Sequence, residues 1–210
     1  MEALRELVDP QHTAVVLQEV QNGVVGEHSV LPQLAAAAQS IDLVGHCAQI
    51  AARGREVGVP VFHCTAEMRA DGIGANRNTR LFAATARSGV SIAPNTDGAE
   101  VPQAIGVAPS DVVLARHHGV GPMTGTQLDP MLRNLGVTTI VGVGVSLNLG
   151  IFNLTLDAIN RGYFVVLPRD AVAGVPLEYG EAVLANSLGL LATLTTTQVL
   201  LDAWTTAPEA

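Results

Sequence analysis

The chain contains no lysine: all 11 of its basic residues are arginines, set against 19 Asp and Glu. With a formal net charge of −8 it lacks the basic stripe that a nucleic-acid surface needs, so no nucleic-acid partner is expected. Aromatic side chains are scarce, at 3% of residues. The core must therefore be packed from small aliphatic side chains, as where a parallel sheet is sandwiched between alanine-rich helices. No apolar run approaches the roughly 20 residues that cross a bilayer. The acidic opening MEALRELVDPQ has no apolar h-region, so neither a membrane span nor a signal peptide is expected, and a cytoplasmic location follows. There are only two cysteines, Cys47 and Cys64, without CxxC spacing or a histidine cluster beside them. They read as buried free thiols, and no metal or cofactor is expected.

What the chain does have is aliphatic bulk. Hydrophobic residues make up 48% of its 210 positions, enough for one self-sufficient domain spanning 1–210. TAVVLQE (13–19) is a short, β-branched apolar run ending in a carboxylate, and 59–65, 111–116, 138–145 and 163–168 repeat the form. These are expected to be buried strands. Helical periodicity fills 31–55, 127–135, 147–161 and 178–192, and TLTTTQVLLDAW reads as an edge strand running into a last helix. Strands alternating with helices predict a parallel sheet with right-handed crossovers. The stretch 66–109 is rich in turn residues and poor in periodicity, which marks a functional loop or cap. Ligands of open parallel sheets bind beyond the carboxyl ends of the strands, where Glu19, His63, Arg116 and 142–150 are expected.

Three patches carry a resemblance to a known family. AVVLQEVQNGVVG (14–26) looks like an opening strand followed by Asp-x-Gln-Asn, with Glu19 in the place of the acid and Gln21 and Asn22 in step. VVLARHHGVGPMTGTQLDPMLRNLGV is similar to a strand, a lysine, a variable turn and Gly-Thr-x-Leu-Asp before a helix. IVGVGVSLNLGIFNLTLDAINRGYFVVLPRDAVAG looks like Gly-Val-x-Thr-x-x-Cys-Val followed by Asp-Ala and Gly-Tyr. In this order and spacing they resemble the isochorismatase-like superfamily, the cysteine hydrolases, over nearly the whole chain. The resemblance implies a Rossmann-like three-layer α/β/α sandwich around a mostly parallel six-stranded sheet, and a homo-oligomer, dimer or tetramer.

It also implies a triad of aspartate, lysine and cysteine, whose positions here read Glu19, Arg116 and Gly150. His117 or His118 takes the lysine's place if the turn shifts the register. Without sulfur at 150, an acyl-enzyme cannot form there. Isochorismatases proper resemble this chain in having glycine at that position. Their first-strand acid is thought to protonate an enol ether, a role open to Glu19. Against this, Glu is a methylene longer than Asp, and a neighbouring arginine lowers a carboxyl pKa while burial raises it. The expected activity is hydrolysis of a small carboxylated or enol-ether metabolite without a cysteine nucleophile. The alternative is a catalytically silent relative that binds a small molecule or a partner subunit. Gln21, His63, His117, Ser146 and Leu149 are the candidate substrate-binding residues, with the N–H groups of Leu149 and Gly150 as a possible anion hole.

Overall fold

The computed structural model describes residues 1–205, so the last five residues of the expected domain lie outside it. The helices are α1 (Glu2–Leu7), α2 (Asn22–Val25), α3 (Pro32–Ser40), α4 (Leu43–Glu56), α5 (Arg80–Arg87), α6 (Leu128–Asn134), α7 (Gly150–Asn160), α8 (Leu177–Asn186) and α9 (Thr197–Ala203). The strands are β1 (Thr13–Gln18), β2 (Val61–Ala66), β3 (Val112–Arg116), β4 (Thr139–Val145), β5 (Phe164–Pro168), β6 (Val172–Ala173) and β7 (Thr193–Thr195). Six strands lie in the order β3-β2-β1-β4-β5-β7, and the two-residue β6 extends the sheet beside the end of β4. Every pairing is parallel.

Alternation along β1 explains the three layers. Val15 and Leu17 face one apolar cluster with Leu43, Ile50 and Leu200, from α4 and α9. Ala14 and Val16 face a second cluster with Leu132, Ile151 and Leu184, from α6, α7 and α8. Both faces of the strand are thus buried, as its unbroken apolar run requires. The chain turns to opposite sides of the sheet between β1 and β4, which opens a crevice at their carboxyl ends.

Two expectations change in detail. The helix expected over 31–55 is two helices, because Ile41 and Asp42 interrupt it and Asp42 takes a left-handed conformation, φ 50°. The stretch 66–109 is not wholly irregular, since α5 lies within it, capped by the Thr79 side chain accepting from the Phe82 N–H. None of the residues of α5 is buried, so local propensity and the cap hold it with little help from the core.

Candidate active site

The site is built where β1 ends. Glu19 follows the last strand residue with φ 53°, a left-handed backbone costing about 1–2 kcal/mol in a residue with a Cβ. Its N–H still donates to the Cys64 carbonyl of β2, at 2.8 Å, so the strained residue is pinned to the sheet. The carboxylate meets the guanidinium of Arg116, the last residue of β3, in a direct hydrogen-bonded ion pair. Arg116 is only 7% exposed and Glu19 17%. The second terminal nitrogen of Arg116 donates to the carbonyls of His118 and Gly119, so the guanidinium also folds the turn that follows its own strand. Asn76 ties that turn to the 66–109 stretch by accepting from the Gly119 N–H at 2.8 Å.

Burial raises the Glu19 carboxyl above its ordinary value of 4.5, and this outweighs the opposing pull of Arg116. A buried acid with a raised pKa keeps its proton to higher pH than an exposed one, which suits it to proton donation.

Gln18, the last residue of β1, is wholly buried on the α7 side of the sheet. Its amide donates to Glu19 Oε1 at 3.0 Å and to the Val120 carbonyl at 3.3 Å. It fits because α7 begins with Gly150: a Cβ there would come within 3.0 Å of Gln18 Nε2 and 2.9 Å of the Val145 carbonyl. The sequence reading missed Gln18. Its signal was an amide side chain closing a strand that is apolar from Ala14 to Leu17.

Glu19, Arg116 and Gly150 line one cavity of about 120 Å³, together with His117, His118 and Ser146. Arg116 is the member of the Arg116–His117–His118 run that pairs with Glu19. Both histidines line the cavity as well, because the turn after Arg116 breaks the strand alternation that would send them to opposite sides. Ser146 follows a cis peptide from Val145. The opposite wall comes from α2, α3 and the 66–109 stretch, with Leu34, Leu81, Phe82 and Ile92 among its apolar groups and Glu67 and Asn76 among its polar ones.

Three expected substrate contacts lie elsewhere or are already engaged. His63 is absent from the cavity lining: β2 runs on to Ala66, so His63 is a mid-strand residue, paired in register with Leu17 and Val113. Its buried ring bonds Asp111 at 2.9 Å, and Asp111 in turn accepts from Arg55 at 2.6 Å. Burial lowers the His63 pKa despite Asp111. Gln21 is also outside the lining, its amide spent on backbone groups of Ala66 and Gly98. It staples the end of β1 to β2 and to the turn at 97–99. Leu149 does line the cavity, but its N–H donates to the Ser146 carbonyl at 3.1 Å. Of the two N–H groups expected to form an anion hole, only that of Gly150 lacks a partner among the described residues.

Cys47 and Cys64 are buried outside the cavity lining. Burial raises both thiols, Cys64 to about 12, so neither is a poised thiolate.

The isochorismatase domain model matches residues 13–199, which span this sheet and the whole cavity wall. The chain belongs to the isochorismatase family. It is 28% identical over 166 residues to the uncharacterized isochorismatase family protein YecD of Escherichia coli O157:H7, covering 79% of this chain and 82% of that one. An isochorismatase family protein from Burkholderia thailandensis superposes with a TM-score of 0.71 at 27% identity, over 93% of this chain and 97% of that one. A cysteine hydrolase from Pseudomonas syringae pv. phaseolicola 1448A superposes at 0.76 with 22% identity over 94% of each chain, a likeness of fold. No helix among the described residues is long and apolar enough to cross a membrane.

Proposed function

We propose that the chain hydrolyses a small enol-ether metabolite by acid catalysis, without a cysteine nucleophile. The observation that carries this is Glu19, a carboxyl with a raised pKa at the floor of a mostly apolar cavity in which no thiol is present. Glu19 gives its proton to the terminal carbon of the C=C bond, whose π electrons form the new C–H bond. The positive charge left on the ether carbon is shared with oxygen. Water adds to that carbon and loses a proton back to Glu19, and the hemiketal collapses to a carbonyl compound and an alcohol. Charge suits this course. As the oxocarbenium ion forms, Glu19 becomes an anion beside it, so the positive charge grows next to a new negative one. Arg116 orients the carboxylate and prevents it from swinging out of the cavity. Gln18 holds the same oxygen from below.

Of the two substrate types expected from the sequence, carboxylated or enol-ether, the geometry supports the second, because Arg116 is turned inward to Glu19 and to carbonyls of its own turn. The same engagement favours the alternative, a silent relative that binds a small molecule with its arginine locked in a structural role. Incubating the protein with a metabolite library that includes enol ethers, and reading substrate loss and product gain by mass spectrometry, separates the two. Hydrolysis that disappears in Glu19→Gln supports the enzyme; ligand retention with no turnover in the wild type supports the silent binder.

A further inference from the structure

The charged groups of the cavity bear on what enters it. Two acidic side chains line it, the proton donor Glu19 and Glu67, and one guanidinium, Arg116; none of the other ten arginines does. Arg116 donates from both terminal nitrogens to Glu19 and to the carbonyls of His118 and Gly119, so its fork is turned to groups of the protein itself. Glu67 has no ion-pair partner among the described residues, although its backbone N–H is fixed to the Arg116 carbonyl at 2.9 Å. Facing these groups is an apolar wall from two independent segments, Leu34 on α3 and Leu81 and Phe82 on α5. An anionic ligand would find the one guanidinium of the lining already hydrogen-bonded within the protein, would lie near Glu67, and would give up its hydration to hydrocarbon.

We infer that the ligand of this cavity is small and uncharged, with an apolar group seated against Leu34, Leu81 and Phe82 and its ether end toward Glu19. Calling that ligand a substrate rests on the hydrolytic reading above; its lack of charge rests on the lining alone. The inference removes carboxylated metabolites from the expected substrates. It leaves uncharged alkyl or aryl enol ethers as the class, and assigns Phe82 and Glu67 to specificity, Phe82 by contact and Glu67 by repelling anions.

The test uses saturated ethers, which have no C=C bond to protonate and therefore read binding without turnover. Ethoxybenzene, 3-ethoxybenzoate and 3-ethoxybenzylamine are titrated into the protein by calorimetry at pH 8. Ethoxybenzene is expected to bind at least about tenfold more tightly than the benzoate. Phe82→Ala should weaken ethoxybenzene by about tenfold, and Glu67→Gln should improve the benzoate severalfold while leaving ethoxybenzene unchanged. Neither residue lies in the buried core, so both variants are expected to fold. Benzoate binding as tight as ethoxybenzene overturns the inference. So does tighter binding of the benzylamine, which would make Glu67 a cation receptor, or no binding of ethoxybenzene up to millimolar concentration. If ethoxybenzene binds as expected while no enol ether is turned over, the charge assignment stands and the hydrolytic reading fails.

Discussion

Gln18 occupies the space that a side chain at position 150 would need. A Cβ on Gly150 would sit 3.0 Å from Gln18 Nε2 and 3.2 Å from its Cγ, closer than side chains pack without moving. The amide so placed is the one that donates to Glu19 Oε1. The absence of a side chain on α7 and the hydrogen bond to the acid of β1 are therefore one arrangement, and changing either residue disturbs the other.

Gly150→Cys alone is expected to yield no efficient amidase. The new side chain must displace Gln18 or press on the Val145 carbonyl, and Arg116 stays protonated and cannot relay the thiol proton. The comparison is with the triple variant that adds Glu19→Asp and Arg116→Lys, each assayed on nicotinamide and simple carbamoyl amides. Equal turnover by the single and triple variants would show that the site is already arranged for cysteine chemistry.

Neither thiol is expected to take part in the chemistry. Iodoacetamide should leave native protein unlabelled and its activity unchanged, and intact-mass spectra should show two additions only after unfolding, as burial of Cys47 and Cys64 requires. Labelling at Cys64 with matching inactivation would refute this.

The acid limb of catalysis follows from the direction of the Glu19 shift. Because the reactive form is the protonated one and its pKa is raised, kcat/KM should fall as pH rises through a midpoint above 4.5. The stability sign agrees: a carboxyl raised on folding favours the fold below its unfolded pKa, and that contribution is lost as pH rises through the folded value. A profile rising with pH across that range would assign Glu19 the role of base.

The cluster of Arg55, His63 and Asp111 should govern stability rather than turnover. Burial alone would raise the Asp111 carboxyl, but bonds from Arg55, His63 and the Ala108 N–H outweigh it and hold the carboxyl below 3.8. Asp111→Asn breaks this buried pair and is expected to cost about 3 kcal/mol by urea denaturation at pH 7. His63, with its pKa lowered by burial, adds a loss of stability as pH falls below 6.5, since the unfolded chain takes up the proton first. A cost under about 0.5 kcal/mol would mean that the cluster is a surface pair in effect.

The alternation of apolar runs with helical periodicity made the positions of the six main strands along the chain legible, because buried parallel strands leave an unbroken β-branched signal. Glu19 and Arg116 were legible as strand-end residues, and their meeting follows from β1 and β3 each lying beside β2. His63 was misjudged because it stands inside the strand expected at 59–65 and observed at 61–66, where its ring is buried against Asp111 and not open to the crevice. Phe82 and Asn76 lay hidden in 66–109, Phe82 on the short helix α5 and Asn76 in irregular backbone before it, where eight residues or fewer leave too little periodicity to read. On and beside α7, Ile151 and Leu154 are buried in the protein's own core, while Leu149 and Leu156 are exposed. A homo-oligomer remains our proposal, checked by sedimentation at micromolar concentration.

The central claim is that Glu19 delivers a proton to carbon. Phenyl vinyl ether, an uncharged enol ether, should be hydrolysed in D₂O to phenol and acetaldehyde carrying one solvent deuterium in its methyl group, more slowly than in H₂O. Glu19→Gln should lower the rate by about 10²–10⁴-fold. Deuterium-free acetaldehyde, or a Glu19→Gln rate within about threefold of wild type, would contradict the account.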